Sequence, residues 1–591
     1  MIYRRLNINL TQYCLLKYGV KESIGQVNAV DTGTATVVVT DDSVLSQLQI
    51  NQLLAIKSPR PGRHIIAMIM KIFRKSASID KTEEDEESAA LEQMSLNVIK
   101  IVFIGEFIDH EGIKFNLFRR NVSAVPSIDA SCYKIEGDRL TALMQCISTD
   151  AASVVNPLKI GLYTMDEKSS AYLDGDRLFQ RHAAIVGSTG SGKSYCVARI
   201  VEQMADLPNA NAVLFDIHGE YSTDSFKKEG IAHYKIATPS DLDESDKLSK
   251  GILMIPYWLL TYEEMQALLL DRSDQNAPNQ AMLLSKEILS QKEETVKETS
   301  LKGKITLDSP IPYKLDVVLQ NLTKLDEERV PGAKAGSDKA GPFNGKLTRF
   351  NQRLQNKLDD KRMGFMFHMS AEELSLDWLN NFCTTLMGKD DTTKNRIKVI
   401  DFSEVPSDVL PLVIGLVARL VFTVQQWSDS NLRHPIALLC DEAHLYVQQM
   451  ESRDSVAEIG LKSFERIAKE GRKYGVGLVI ISQRPSEVNR TVLSQCNNFI
   501  SLRLTNVEDQ NVIKRLLPDN LGNIADNLSL LDIAEAIVVG DAILLPSRIK
   551  IDHPTIVPSS QTVKFWQKWN EKDLHQDLNM AVTNMIKQSK N

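Results

Sequence analysis

Residues 182–194 read HAAIVGSTGSGKS, an apolar run, a glycine-rich turn and the dipeptide Lys193-Ser194, and the helical pattern SYCVARIVEQMAD begins at that serine. Gly187, Ser188, Thr189, Gly190, Ser191, Gly192, Lys193 and Ser194 fit GxxxxGK[ST], with the flanking strand and helix that the motif requires. Glycines let backbone N–H groups face phosphate oxygens, and the helix N-terminus adds partial positive charge. Lys193 then reaches the β- and γ-phosphates of ATP, and the Ser194 hydroxyl ligates Mg²⁺. At average composition the four fixed positions recur by chance about 0.02 times in a chain this long. The stretch is therefore read as a nucleotide-binding P-loop.

Outward from it, NAVLFDI (211–217), RIKVIDF (396–402), IALLCDEA (436–443), VGLVIIS (476–482) and NFISLRL (498–504) are near-continuously apolar. Such runs suit a parallel sheet covered on both faces. Helical patterns between several of them, VLPLVIGLVARLVFTVQQW among them, imply a doubly wound α/β domain. Between about Ser240 and Asp391 the sheet signal gives way to a helical insertion, with a mobile tract PGAKAGSDKAGPFNG at 331–345. Ahead of the α/β region, short β-type runs from Ser23 to about Leu140 suggest a small β-barrel; the acidic stretch 76–93 reads as a solvated loop within it. The expected domains are residues 1–160, the barrel; 161–560, the nucleotide-binding domain with its insertion at about 240–391; and 561–591, a helical tail packed on the core or on a neighbouring subunit.

A chain of 591 residues exceeds one compact core. Hydrophobic residues at 43% and charged residues at 25% exclude a disordered or fibrous chain. With 69 basic and 76 acidic side chains the net charge is −7, so contact with nucleic acid is expected in a groove or pore rather than over the whole exterior. Seven scattered cysteines without a CxxC pair argue against a disulfide framework and for a reducing cytosol. The run Val409–Val424 carries Arg419 and is too short to span a bilayer, and no signal peptide opens the chain. A soluble, cytoplasmic protein without a membrane anchor is expected.

Asp441 and Glu442 end an apolar strand, where one carboxylate can hold Mg²⁺ and its neighbour can deprotonate the attacking water. Asp441-Glu442-Ala443-His444 spells DEAH, yet no SAT tripeptide and no QRxGRxGR run follow, so His444 is given no catalytic role. The segment SFERIAKEGRKYGVGLVIISQRPSEV (463–488) is a basic amphipathic helix leading into a strand. Gln483 at that strand's tip is placed to sense the γ-phosphate or the water. Arg466 and Arg472 are placed to reach a neighbouring subunit's nucleotide as arginine fingers. Asp216, His218, Gly219 and Glu220 follow another strand; Glu220 either assists the water or the group shapes a loop.

Together, IGQV, RHAAIVGSTGSGKS, LFDIHGEY, LLCDEAH, ERIAKEGRKYGVGLVIISQRP and AIVVGDAILLP resemble the HerA family, hexameric DNA-translocating ATPases of the HerA/FtsK branch of RecA-like P-loop proteins. The resemblance runs from residue 23 to about 556. It implies a RecA-like core, an N-terminal barrel of the HAS type, a homo-hexamer around double-stranded DNA, and ATP with Mg²⁺. Lys193 and Ser194 would bind phosphate and metal, Asp441 the metal, and Glu442 would be the general base. Arg181 matches a cis-acting arginine, and Arg466 or Arg472 would be the trans one. Lys227, Lys228 and Arg453 are taken as channel residues. Family members pair with a nuclease or a sirtuin-like NAD-cleaving protein in DNA end processing or anti-phage defence, so a separate effector is implied. The rival from another class is an ATP-held ring scaffold that regulates an effector without translocating. A conjugation coupling ATPase would carry a membrane anchor.

Overall fold

A computed structural model of the chain describes residues 15–75, 96–112, 114–331, 338–388, 396–449, 456–516, 526–559, 563–571 and 578–589. It divides into two bodies, Met1–Leu178 with Val186–Cys196 and Asn497–His553, and Phe179–Ile185 with Val197–Cys496 and Pro554–Asn591. The acidic stretch 76–93 and Arg453 lie outside the described residues.

In the first body, seven strands pair in the order Thr34–Val38, Ser23–Val30, Ser131–Lys134, Leu53–Lys57, Arg63–Lys75, Leu96–Glu111, Lys114–Arg119. Thr34–Val38 also pairs with Leu96–Glu111, opposing Ala35 to Ile101 and Val37 to Ile99. That pairing closes six strands into a barrel and removes the free edges. Alternation fills it: Ile65, Ala67 and Ile69 point inward from one strand, and Ile99, Ile101 and Phe103 from the next. The same body holds an antiparallel run, Asn498–Leu502, Glu535–Val539, Ser547–Ile551, Leu158–Tyr163, Asp166–Leu173. NFISLRL was expected in a parallel sheet; toward Glu535–Val539 it pairs antiparallel. An apolar run reads the same in either direction, because burial on both faces leaves no sign of strand polarity.

The second body carries the strands β1 (Ala183–Val186), β2 (Ala212–Asp216), β3 (Ile231–Ile236), β4 (Ile252–Leu253), β5 (Ile397–Asp401), β6 (Ile436–Cys440) and β7 (Val476–Ser482) in the order β4-β3-β5-β2-β6-β7-β1. The pairs β3–β4, β3–β5, β2–β5, β2–β6 and β6–β7 are parallel. Every residue of β1, β2, β6 and β7 is buried, as a sheet layered on both faces requires. The helix α1 (Lys193–Ala205) leaves the P-loop, and α2 (Leu410–Trp427) packs on α3 (Val456–Tyr474). Among the described residues, α2 alone is long and apolar enough to cross a membrane, and 72% of it is buried in this core. Gly415 and Gly460 let the α2 and α3 backbones meet; a Cβ at Gly460 would lie 2.3 Å from the Pro411 carbonyl oxygen.

After β4 the chain is helical, with Tyr262–Leu269, Ala277–Val296, Leu315–Glu327, Thr348–Asp359 and Trp378–Met387. Arg419 of α2 ties this region down through a 2.8 Å ion pair to buried Glu264. The flanks of the glycine-rich tract form a small hairpin, Arg329–Pro331 against Asp338–Ala340.

Candidate functional site

β1 runs by chain continuity into the turn 187–192. Gly190 and Gly192 have φ of +74° and +98°, a backbone that residues with a Cβ adopt only with strain. The turn is held by its own body. The Ser188 N–H donates to the Arg503 carbonyl at 2.9 Å, the Ser191 N–H to the Ser188 carbonyl at 3.1 Å, and the Ala534 N–H to the Ser191 carbonyl at 2.9 Å. Thr505 N–H donates to the Ser188 hydroxyl at 3.1 Å. Lys193 and Ser191 are buried, and the Ser191 hydroxyl meets no hydrogen-bond partner among the described residues. An orphaned hydroxyl inside a glycine turn fits a phosphate oxygen, since buried polar groups are otherwise satisfied. The oxygen donors of Ser194 and Asp441 are of the hard type that Mg²⁺ takes.

At the carboxyl end of β6, Asp441 and Glu442 are both buried. Glu442 sits in the left-handed region with φ +44°, unusual for a residue with a Cβ and worth about 1–3 kcal/mol of strain. Its side chain is fixed from two sides. Gln483 Nε2 donates to Oε1 at 2.5 Å, and His444 Nδ1 lies 3.2 Å from Oε2. His444 Nδ1 is also 3.3 Å from the hydroxyl of buried Ser482, and the Tyr446 hydroxyl donates to the Asp441 carbonyl at 2.9 Å. The register that sets Cys440 beside Ile480 brings the tips of β6 and β7 together. Glu442 and Gln483 were singled out separately in the sequence; here they form one hydrogen-bonded unit. His444, given no role there, belongs to it. The tetrad DEAH was its signal, obscured because the helicase family those letters name did not fit.

Gln483 thus contacts the Glu442 carboxylate directly. The two arginines of α3 differ. Arg466 donates to Gln426 Oε1 at 3.0 Å, has Glu470 at 3.8 Å and lies 4.8 Å over the Phe422 ring. The Arg472 side chain is exposed, with no ion pair or hydrogen bond among the described residues. Arg181 is half-buried immediately before β1.

Asp216 is fully buried at the end of β2. It accepts from the Glu220 N–H at 2.9 Å, the Tyr221 N–H at 2.9 Å and the Ser222 hydroxyl at 2.7 Å, so it organises the turn that presents exposed His218 and half-buried Glu220. Burial, reinforced by the negative charge of Asp401, pushes its pKa up to about 6. The channel candidates have acidic neighbours: Lys227 pairs with Asp224 at 2.6 Å and Lys228 with Asp206 at 2.7 Å.

The family description "Helicase HerA, central domain" matches residues 158–421. The DNA double-strand break repair helicase HerA of Sulfolobus acidocaldarius is 28% identical over 67% of this chain and 71% of its own length. HerA of Pyrococcus furiosus is 25% identical over 67% and 69%, and a probable helicase of Methanocaldococcus jannaschii is 24% identical over 87% and 92%. Among solved structures, VirB4 of Thermoanaerobacter pseudethanolicus superposes with a TM-score of 0.44 at 15% identity, covering 67% of this chain and 96% of that one. The P-loop signature and the helicase-named relatives make this an ATPase of the helicase type. The chain is thus similar, over its central part, to helicases of the HerA family.

Proposed function

We propose that the protein is a Mg²⁺-ATP-dependent, homo-hexameric translocase of double-stranded DNA, cytoplasmic, serving a separate effector of nuclease or sirtuin-like type in DNA end processing or anti-phage defence. The observation that carries the ATPase chemistry is the Glu442 carboxylate held between Gln483 and His444. A base fixed in this way removes a proton from a water aligned with the γ-phosphorus. The water oxygen bonds to phosphorus, the bridge to the β-phosphate breaks, and the proton stays on Glu442. Lys193 and the turn amides 188–192 hold the phosphates. Ser194 and Asp441 hold the Mg²⁺, which when bound offsets negative charge on the phosphate oxygens. Arg181 acts in cis. Arg472, exposed near the end of α3, acts in trans on the neighbouring subunit's nucleotide; Arg466, engaged by Gln426, Glu470 and Phe422, supports its own helix.

The relatives named as DNA repair helicases support DNA as the moving substrate. Phosphate contacts by a few basic side chains, repeated by ring symmetry, suffice for a chain of net charge −7. The test is ATP hydrolysis with and without duplex DNA. Stimulation supports translocation. A rate indifferent to DNA removes it and leaves an ATP-held scaffold.

A further inference from the structure

His182 lies outside every role assigned so far, yet it is buried and its backbone adopts φ +52°. A left-handed residue with a Cβ persists only where its surroundings over-determine it. Two polar contacts and one packing contact do so here. The Nδ1 atom accepts the Leu478 N–H at 3.0 Å, and the other ring nitrogen donates to the Ala468 carbonyl. The Cε1 atom lies 3.5 Å from where a Cβ on Gly471 would stand, and that glycine is itself pressed against the Val476 carbonyl at the start of β7. Burial pushes the imidazole pKa down to about 4, so at neutral pH it keeps one tautomer, with the proton facing Ala468. One side chain thus joins three elements: β1, which feeds the P-loop; β7, whose tip carries Gln483; and the last turns of α3. Ala468 and Arg472 are four apart on α3 and share a face.

We propose that His182 is a positioning residue that locks the start of β1 and β7 to the end of α3, and so fixes how Arg472 is presented. This rests on the reading of Arg472 as the trans arginine.

The test is a double-mutant cycle. His182→Asn suits a left-handed backbone, but its short amide cannot span from Leu478 to Ala468, whereas His182→Gln offers an oxygen and an N–H at greater reach. The Asn variant should assemble and bind a non-hydrolysable ATP analogue with unchanged Kd, while kcat falls about tenfold and Gln restores it to within about threefold. In an Arg472→Ala background, followed with radiolabelled ATP, His182→Asn should lower kcat no further, because the group it positions is gone. Losses that multiply in the double variant, or a full rate in His182→Asn, overturn the proposal. Should His182→Asn not assemble, the cycle runs with His182→Gln, whose smaller loss must likewise vanish without Arg472. A full rate in Arg472→Ala alone overturns the underlying reading instead.

Discussion

The proposed base, Glu442, is a buried carboxylate on a left-handed backbone, with Gln483 Nε2 donating to one oxygen and His444 Nδ1 3.2 Å from the other. Replacing it by Gln keeps the shape and removes the base. Glu442→Gln should bind ATP with wild-type affinity and lose hydrolysis by at least about a hundredfold, measured as nucleotide Kd beside steady-state phosphate release. A variant that turns over at full rate would take Glu442 out of the mechanism. Asp216 gives a pH test. Its folded pKa of about 6 lies above the ordinary aspartate value of 3.8, so the folded state binds the proton more tightly than the unfolded one. Its contribution to stability is complete below pH 3.8 and declines as pH rises through about 6. Melting temperatures from pH 4 to 7 should therefore fall more steeply for the natural protein than for Asp216→Asn; parallel curves would show that Asp216 does not titrate in this window.

The elements show which parts of this arrangement sequence can carry. The P-loop was legible because its glycines, lysine and serine are local and fixed in spacing. The place of the two acids at a strand end was legible because the apolar run IALLC stops at them. The Glu442–His444–Ser482 contact was not, because it depends on the register between β6 and β7, which no single run of residues records. His182 escaped notice for the same reason: its partners lie on two elements about 290 residues further along the chain. Nor did composition separate Arg466 from Arg472; only the packing of Arg466 on Phe422 and Gln426 does so. At the crossing of α2 and α3, Gly460 admits no side chain, with the Pro411 carbonyl oxygen 2.3 Å from a Cβ position. Gly460→Ala should cost about 1–3 kcal/mol by overpacking, read as a lower midpoint in chemical denaturation. An unchanged midpoint would mean that the two helices separate freely.

For the whole molecule, the exposed ends are informative. The tail helices Phe565–Trp569 and Leu578–Lys587 bury none of their residues, and Trp566 and Trp569 are 78% and 73% exposed. Among the described residues of the tail, only Ser589 is buried, 3.1 Å from the Thr238 hydroxyl. The expectation that the tail packs on its own core is not met by its apolar side chains; a neighbouring subunit is the remaining half of that expectation and part of the proposed ring. That ring makes each ATP site composite, with the base from one protomer and Arg472 from the next. Mixing two inactive proteins tests this most directly. Glu442→Gln supplies intact arginines and Arg472→Ala supplies intact bases, so subunits exchanged into common rings should recover DNA-stimulated ATP hydrolysis that neither shows alone. If the mixed rings form and stay inactive, or if Arg472→Ala alone hydrolyses ATP at the full rate, the shared site is contradicted.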